Sequence, residues 1–272
     1  MSQSNNKAVF AISIVIVVFA VIASGGGLLI EDLYQGNPFA KTVWRANDLI
    51  TLVVAVPLLI LAMIFARRGS NWAVPAWIGM LAFMLYNYAF YLFGAYYNKM
   101  FLVYTGLFAL SIFGLVFGVP RINVDELAGQ FRKKLPVRWI SAWLVFIAGG
   151  LTIVYLLQAF DYLRTGQVPE IIERTGHVTN VIPALDLSLI IPWYALAAVW
   201  LWQKRDWGYV LAAIVSVEGA AYLLVLLTAA VFAARGGFPG AADELPLWGT
   251  FCAGFLITSG YLLAGFGGKK SQ

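Results

Sequence analysis

The sequence predicts an all-α fold, a polytopic bundle of transmembrane helices that crosses the bilayer eight times. Hydrophobic residues make up 61% of its 272 residues and charged residues 11%, whereas soluble domains have about 25% charged residues. The mean hydropathy of +0.82 agrees with this class. Eight apolar runs are long enough to cross about 30 Å of hydrocarbon. They lie near Ala8–Ile30, Leu49–Ala66, Trp72–Ala95, Phe101–Val119, Trp139–Phe160, Val181–Trp202, Tyr209–Ala233 and Leu247–Phe266.

Lysine and arginine are distributed unevenly over the two sides of this predicted bundle. Cytoplasmic loops of membrane proteins are enriched in both residues. With the N-terminus in the cytoplasm, twelve basic residues fall on the inner side and six on the outer side. The bias supports eight spans and predicts that both termini are cytoplasmic. The six outer residues are Lys41, Arg45, Lys99, Arg164, Arg174 and Arg235.

Residue counts exclude several classes of protein. The net charge of +5 is not gathered on a soluble module, so membrane topology explains it better than nucleic-acid binding. The single Cys252 excludes an intrachain disulfide and a cysteine-based metal site. The single His177 excludes bis-histidine haem within one chain. Ala8–Ile30 exceeds the roughly 7–15 residues of a signal-peptide core, and further spans follow it, so we expect a retained first helix.

The inner loop 120–138, between the fourth and fifth runs, predicts a short amphipathic helix at the membrane surface. Asn123 and Glu126 have the spacing of a capping pair. An apolar stripe lies beside three basic residues, as in helices that rest on the inner leaflet. The stripe is Leu127, Phe131 and Leu135, and the basic residues are Arg132, Lys133 and Lys134.

The two halves of the chain share a pattern that predicts a duplicated four-helix unit inside one transmembrane domain, 1–272. The repeats cover about 8–119 and about 139–266. In each half an Asp-Leu pair at the outer end of the second span precedes an internal proline, a basic pair and a tryptophan. Because four is even, the repeats would be parallel, related by an axis along the membrane normal. The matching features are Asp48 and Asp186, Pro57 and Pro192, Arg67-Arg68 and Lys204-Arg205, and Trp72 and Trp207.

Four segments of the chain carry a resemblance to a known group of proteins. They are WRANDL, YNYAFYLFGA, TNVIPALDLSLIIP and KRDWGYVLAAI. The chain beyond its first helix is similar to a family of bacterial multi-pass membrane proteins with about eight helices and no assigned function. The resemblance implies a bacterial cytoplasmic (inner) membrane, and it implies nothing about the chemistry.

Polar residues concentrate in Leu85–Lys99, the predicted outer half of the third span. Spacings of three and four place Asn87, Tyr91, Gly94 and Asn98 on one helical face. Lipid cannot satisfy an amide, so we expect this face to look into the protein or into a wet cavity.

Glu218 is the strongest single signal for function. It lies near the middle of the seventh run, and no lysine or arginine falls inside any run to pair with it. An ionised and unpaired acid at that depth would be very costly. We therefore expect it to be protonated, hydrogen-bonded by groups such as Asn87, Tyr91 or Tyr222, or bound to a cation. Its alternative role is that of a neutral acid joining two helices.

Asp48 and Asp186 are the next candidates, because they recur in the two halves. Acids at helix N-termini are often structural, and Arg45 is placed for an ion pair with Asp48. Facing one axis, the two acids could form a site for a cation or a polar substrate. A metal site that adds His177 would need several converging ligands, and we assign no metal.

Together these residues predict a polar pocket that opens outward and has Glu218 as its floor. Its predicted members are Arg45, Asp48, Asn87, Tyr91, Asn98, Asp186, Glu218 and Tyr222. The expected partners are the lipid bilayer and a small polar or cationic substrate, and no cofactor is assigned.

Three function classes fit this pocket. The first is a proton-coupled transporter of a small molecule or ion. The second is an enzyme acting on a lipid or lipid-linked substrate at the outer face, with Arg45 or Arg174 holding a phosphate. No GxSxG, HExxH or CxxC motif supports it. The third is a non-catalytic accessory subunit of a membrane complex. We favour the first.

Overall fold

A computed structural model describes residues 3–129, 131 and 135–266 of the chain, and in this part it contains helices and no strand. Eight of the helices are long and apolar enough to cross a bilayer, which confirms an all-α, multi-pass membrane bundle. We number these spans in chain order. They are Lys7–Leu29, Pro38–Arg67, Ala73–Gly94, Phe101–Arg121, Val137–Thr165, Val181–Trp202, Asp206–Arg235 and Leu245–Gly265.

The second span begins much earlier than the sequence predicts, at Pro38 and not at Leu49. Asn37 caps it, because its Oδ1 accepts a hydrogen bond from the Ala40 backbone N–H at 2.8 Å, and proline is favoured in the first turn of a helix. Charged residues lower the mean hydropathy of this segment, although it packs on the seventh span and its Trp44 packs on Phe90 and Tyr91 of the third span. Asp48 consequently lies ten residues inside the helix and not at its outer end.

The second and sixth spans each contain one π-helical segment, Thr51–Ala55 and Asp186–Ile190. In each segment an N–H bonds to the carbonyl five residues earlier, from Val56 to Thr51 and from Ile191 to Asp186. A proline follows two residues after each segment and cannot donate to the helix ladder. Such π segments are rare and often occur at functional sites.

The predicted duplication stays a prediction, and the π segments suggest a register for it. Pro192 follows Pro57 by 135 residues, and Asp186 follows Thr51, the first residue of the other π segment, by the same 135. In this register Asp186 corresponds to Thr51, and Asp48 lies about one helical turn away.

The third and seventh spans form the centre of the bundle. Their most apolar windows are 72% and 78% buried, against 28–39% for the other six spans. They pack on each other, and the seventh also packs on the beginning of the second span. Gly79 allows the third span to lie close against the seventh span. An added Cβ at this position would lie 2.8 Å from the carbonyl oxygen of Ile214.

The inner loop is only partly helical in the described part of the chain. Asn123 and Glu126 form the predicted capping pair, with the Glu126 N–H donating to Asn123 Oδ1 at 3.3 Å, but the helix covers only Val124–Ala128. Phe131 packs against the rings of Tyr209 and Phe266, so this part of the stripe contacts protein. The predicted basic face lies outside the described residues: Arg132, Lys133 and Lys134.

Candidate functional site

The polar side chains of the core lie toward one end of the bundle, which we call the loop end. It carries the connections 30–37, 95–100, 166–180 and 236–244. Two aspartates, each held by two tyrosines, and one glutamate lie between this end and the middle of the bundle.

Asp48 accepts hydrogen bonds from two tyrosine hydroxyls. Tyr34, in the first connection of the loop end, donates to Oδ2 at 2.5 Å, and Tyr91 of the third span donates to Oδ1 at 2.8 Å. Gly27 of the first span provides the space, because a Cβ at this position would overlap Asp48 Oδ2. The carboxylate is only 1% exposed.

A shell of aromatic rings surrounds the Asp48 site. The Tyr91 ring centroid is 4.7 Å from that of Trp44 and 4.9 Å from that of Tyr104. Tyr88 packs against both Tyr91 and Tyr104, at 5.5 and 6.2 Å. The hydroxyls of Tyr88 and Tyr104 are buried and have no hydrogen-bond partner among the described residues.

Asp186, the first residue of the second π segment, has the same kind of environment. Tyr86 of the third span donates to Oδ1 and Tyr155 of the fifth span to Oδ2, both at 2.6 Å. The Tyr222 hydroxyl lies 3.3 Å from that of Tyr86. A tyrosine hydroxyl has one proton to donate, so Tyr222 donates to Tyr86 while Tyr86 donates to Asp186.

Glu218 lies near the middle of the seventh span and is 3% exposed. Tyr194 of the sixth span donates to its Oε2 at 3.0 Å, and Oε1 has no hydrogen-bond partner in the described part of the chain. The expected donors Asn87, Tyr91 and Tyr222 were therefore wrong. Tyr222 follows Glu218 by one helical turn, which places the two on the same face of the helix.

The hydrogen-bond lengths separate the three acids. Hydroxyl bonds to an ionised carboxylate are about 2.5–2.7 Å long, and neutral ones extend to about 3.0 Å. Both bonds to Asp186 and the Tyr34 bond to Asp48 fall in the shorter class. The single bond to Glu218 falls at the long end. Asp48 and Asp186 therefore each accept two hydrogen bonds from phenols, whereas Glu218 accepts one.

Asn87 belongs to a separate small network. Its Nδ2 donates to the hydroxyl of Thr51 at 3.3 Å, and Thr51 donates to Asn47 Oδ1 at the same distance. The network links the third span to the beginning of the first π segment. Asn87 is 1% exposed, and its Oδ1 lacks a hydrogen-bond partner within the described ranges.

Two of the predicted pocket residues lie elsewhere. Arg45 is exposed and donates to the carbonyl of Leu28 at 3.1 Å, so the expected ion pair with Asp48 does not form. Leu28 lies in the last turn of the first span, where carbonyls lack helical partners. Asn98 is not on the third helix, which ends at Gly94. Its Oδ1 accepts from the N–H of Met100, just before the fourth span.

Arg174, the second arginine that could hold a phosphate, already has partners at the loop end. Arg174 pairs with Glu244 at 3.0 Å and lies 4.0 Å from the ring centroid of Phe39. The geometry therefore gives little support to a phosphate held by Arg174. His177 lies nearby, with its ring centroid 5.8 Å from that of Phe90, and burial lowers its pKa from the usual 6.5.

The acids and the asparagine of the site are shielded from solvent. Asp48, Asn87, Asp186 and Glu218 are each at most 4% exposed. A cavity of about 90 Å³ is lined by Tyr91 and Tyr104 among other residues, and a larger one of about 420 Å³ lies beside it at the loop end. Neither cavity is lined by Glu218. Among the described residues no three His, Cys, Asp or Glu side chains converge as metal ligands.

Sequence reasoning missed most of the donors to these acids. The donors Tyr34, Tyr86, Tyr155 and Tyr194 were not among the expected site residues. A signal for two of them exists in the sequence: Tyr155 and Tyr194 lie inside apolar runs, where a phenol needs a partner.

The fold and the site together define an eight-span membrane protein with tyrosine-bound acids in its core. Comparison with protein-family models, with curated proteins and with solved structures finds no match to this chain.

Proposed function

We propose that the protein is a transporter that couples movement of a small polar or cationic solute to protonation of Glu218. One observation carries the proposal: Glu218 Oε1 is buried near the middle of the seventh span and has no hydrogen-bond partner among the described residues. Ionisable residues at membrane depth commonly form proton pathways. An acid that is neutral when buried and ionised when water or solute reaches it has the property that coupling requires.

A series of exchangeable protons extends from Glu218 toward the loop end. Tyr222, one helical turn after Glu218, is hydrogen-bonded to Tyr86. Tyr86 in turn is hydrogen-bonded to Asp186. Asp186 also accepts a hydrogen bond from Tyr155. Protons can be relayed along such hydroxyl and carboxyl groups once a local movement closes the gap between Glu218 and Tyr222.

The π segments provide places where the second and sixth spans can bend. Helices bend most sharply at prolines and π bulges, and interrupted helices line the binding sites of many transporters. Asp186 begins one of these segments, so bending there would change its contacts with Tyr86 and Tyr155.

The orientation and the membrane belong to the same proposal. The predicted bias of twelve basic residues against six supports a loop end that faces outward and termini that face the cytoplasm. The resemblance described above supports a bacterial inner membrane.

Proteoliposomes that contain a trapped pH-sensitive dye test the proposal. Amines, amino acids, sugars and monovalent ions are applied one at a time as gradients, and the luminal pH is recorded. We expect at least one solute to move protons with the wild type, and Glu218→Gln to abolish this movement. Glu173→Gln, which changes an exposed acid of the loop end, is the matched control. Proton movement retained by Glu218→Gln, or absent for every solute with the wild type, would refute the proposal.

A further inference from the structure

Three hydroxyls close to Asp48 lack a hydrogen-bond partner in the described part of the chain. They are Ser24 Oγ, Tyr88 Oη and Tyr104 Oη, and each residue is at most 2% exposed. Ser24 lies one turn before Gly27, the glycine that contacts the Asp48 carboxylate. Buried polar groups are nearly always paired, so three unpaired hydroxyls around one carboxylate indicate a place for a ligand.

The acceptor atoms of the site indicate the kind of ligand. Asp48 contributes two carboxyl oxygens that accept hydrogen bonds, and no lysine or arginine nitrogen of the described residues lies within 4.0 Å of them. A carboxylate can accept about four hydrogen bonds, and the tyrosines use two of these positions. The rings of Tyr91 and Tyr104 line the smaller cavity beside the site, and aromatic rings attract cations through their quadrupole.

Two adjoining cavities lie at the loop end beside this site, and neither is lined by Asp48 itself. The larger, of about 420 Å³, is lined by Asp32 and Lys99 and shares Asn98 and other residues with the smaller. The smaller, of about 90 Å³, is lined by Tyr91 and Tyr104. A cavity of about 150 Å³ holds benzene, so the inner space suits a smaller group.

We propose that the cage around Asp48 binds the ammonium group of a small alkylamine that enters from the loop end. The three N–H donors of a primary ammonium match the free acceptor positions on Asp48 and the hydroxyl oxygens of Tyr88 and Tyr104. Its alkyl group matches the aromatic walls. A divalent metal fits less well, because calcium takes six to eight oxygen ligands and no three acidic, His or Cys side chains converge in the described ranges.

This site goes beyond the proposed function, because binding at Asp48 is measurable whether or not Glu218 carries protons. Glu218→Gln is therefore expected to bind the amine as the wild type does. Loss of proton movement and loss of amine binding are separate results, and each proposal can fail alone.

Isothermal titration calorimetry of the detergent-purified full-length protein tests the site, with methylammonium chloride as the probe. Sodium chloride at equal ionic strength and uncharged methanol are the reference solutes. We expect saturable binding of methylammonium only. Asp48→Asn should weaken it at least tenfold, and Tyr104→Phe, which keeps the ring and removes one unpaired hydroxyl, should weaken it several-fold.

Asp161→Asn is the matched control, because Asp161 is an exposed aspartate whose partner is Arg164, and it should bind like the wild type. The proposal is overturned if the wild type does not bind methylammonium, or if sodium binds equally well. It is also overturned if Tyr104→Phe, folded as judged by size-exclusion chromatography, binds with unchanged affinity. This last arm remains decisive if Asp48→Asn does not fold.

Discussion

Replacing Gly79 by alanine is expected to separate the two central spans. An added Cβ would lie 2.8 Å from the carbonyl oxygen of Ile214 and 2.9 Å from Cβ of Val217, both on the seventh span. Neither atom is the end of a flexible side chain, so the helices themselves must move apart. Val217 directly precedes Glu218, and the movement would therefore disturb the candidate site as well as the packing.

The magnitude of the Gly79→Ala effect follows from two opposing contributions. Overpacking a well-packed core costs about 1–3 kcal/mol. Alanine is better than glycine within a helix by up to about 1 kcal/mol. We expect a net loss of about 1–2 kcal/mol in the free energy of unfolding.

Gly150→Ala is the matched control for this effect. Gly150 is exposed on the fifth span, and its added Cβ would meet no atom within 4 Å. Only the favourable helix contribution applies there, so stability should be unchanged or higher. Reversible unfolding in mixed detergent micelles, followed by circular dichroism, measures both variants. If Gly79→Ala is as stable as Gly150→Ala, the close approach of the two spans is wrong.

Two further predictions concern a donor to Asp186 and the histidine of the loop end. Tyr155→Phe leaves Asp186 with one phenol donor, and losing a hydrogen bond to this buried carboxyl group should cost about 1–3 kcal/mol in the same unfolding assay. Tyr162→Phe, on an exposed tyrosine of the same span, should cost nothing, and equal stability of the two variants would contradict the Tyr155 contact. Burial lowers the pKa of His177, so the folded protein favours neutral imidazole, and stability should be lost as the pH falls below about 6.5. Unfolding measured from about pH 7.5 to about pH 5 should show this loss in the wild type and not in His177→Gln, whereas identical pH profiles would contradict it.

Hydropathy predicted the spans because each one is an uninterrupted apolar stretch. It failed where a helix is amphipathic: Pro38–Asp48 carries polar residues, yet Trp44 is buried against the core. Burial by neighbouring helices depends on the tertiary arrangement, which the local pattern does not contain. The Asn123–Glu126 cap was predictable because both partners belong to one turn.

The candidate acids were predictable, but their partners were not. A carboxylate within an apolar run is conspicuous in any sequence, so Asp186 and Glu218 were identified directly. Tyr86 and Tyr155 lie 100 and 31 residues before Asp186, and only the packing of three spans brings them together. Asn98 shows the opposite error, because helical spacing was extended past the end of the third helix at Gly94.

The π segments also affect how the two spans respond to a change in length. A π turn holds one more residue than an α turn, and each residue of an α-helix turns the chain by about 100°. Deleting one residue within Thr51–Ala55 would leave an α turn that still closes one full turn, so Asp48 would still face Tyr91. Deleting one residue from the α-helical part Val56–Arg67 would instead rotate one end of the span against the other by about 100°. Each π segment therefore accommodates one additional residue without changing which side chains face the core.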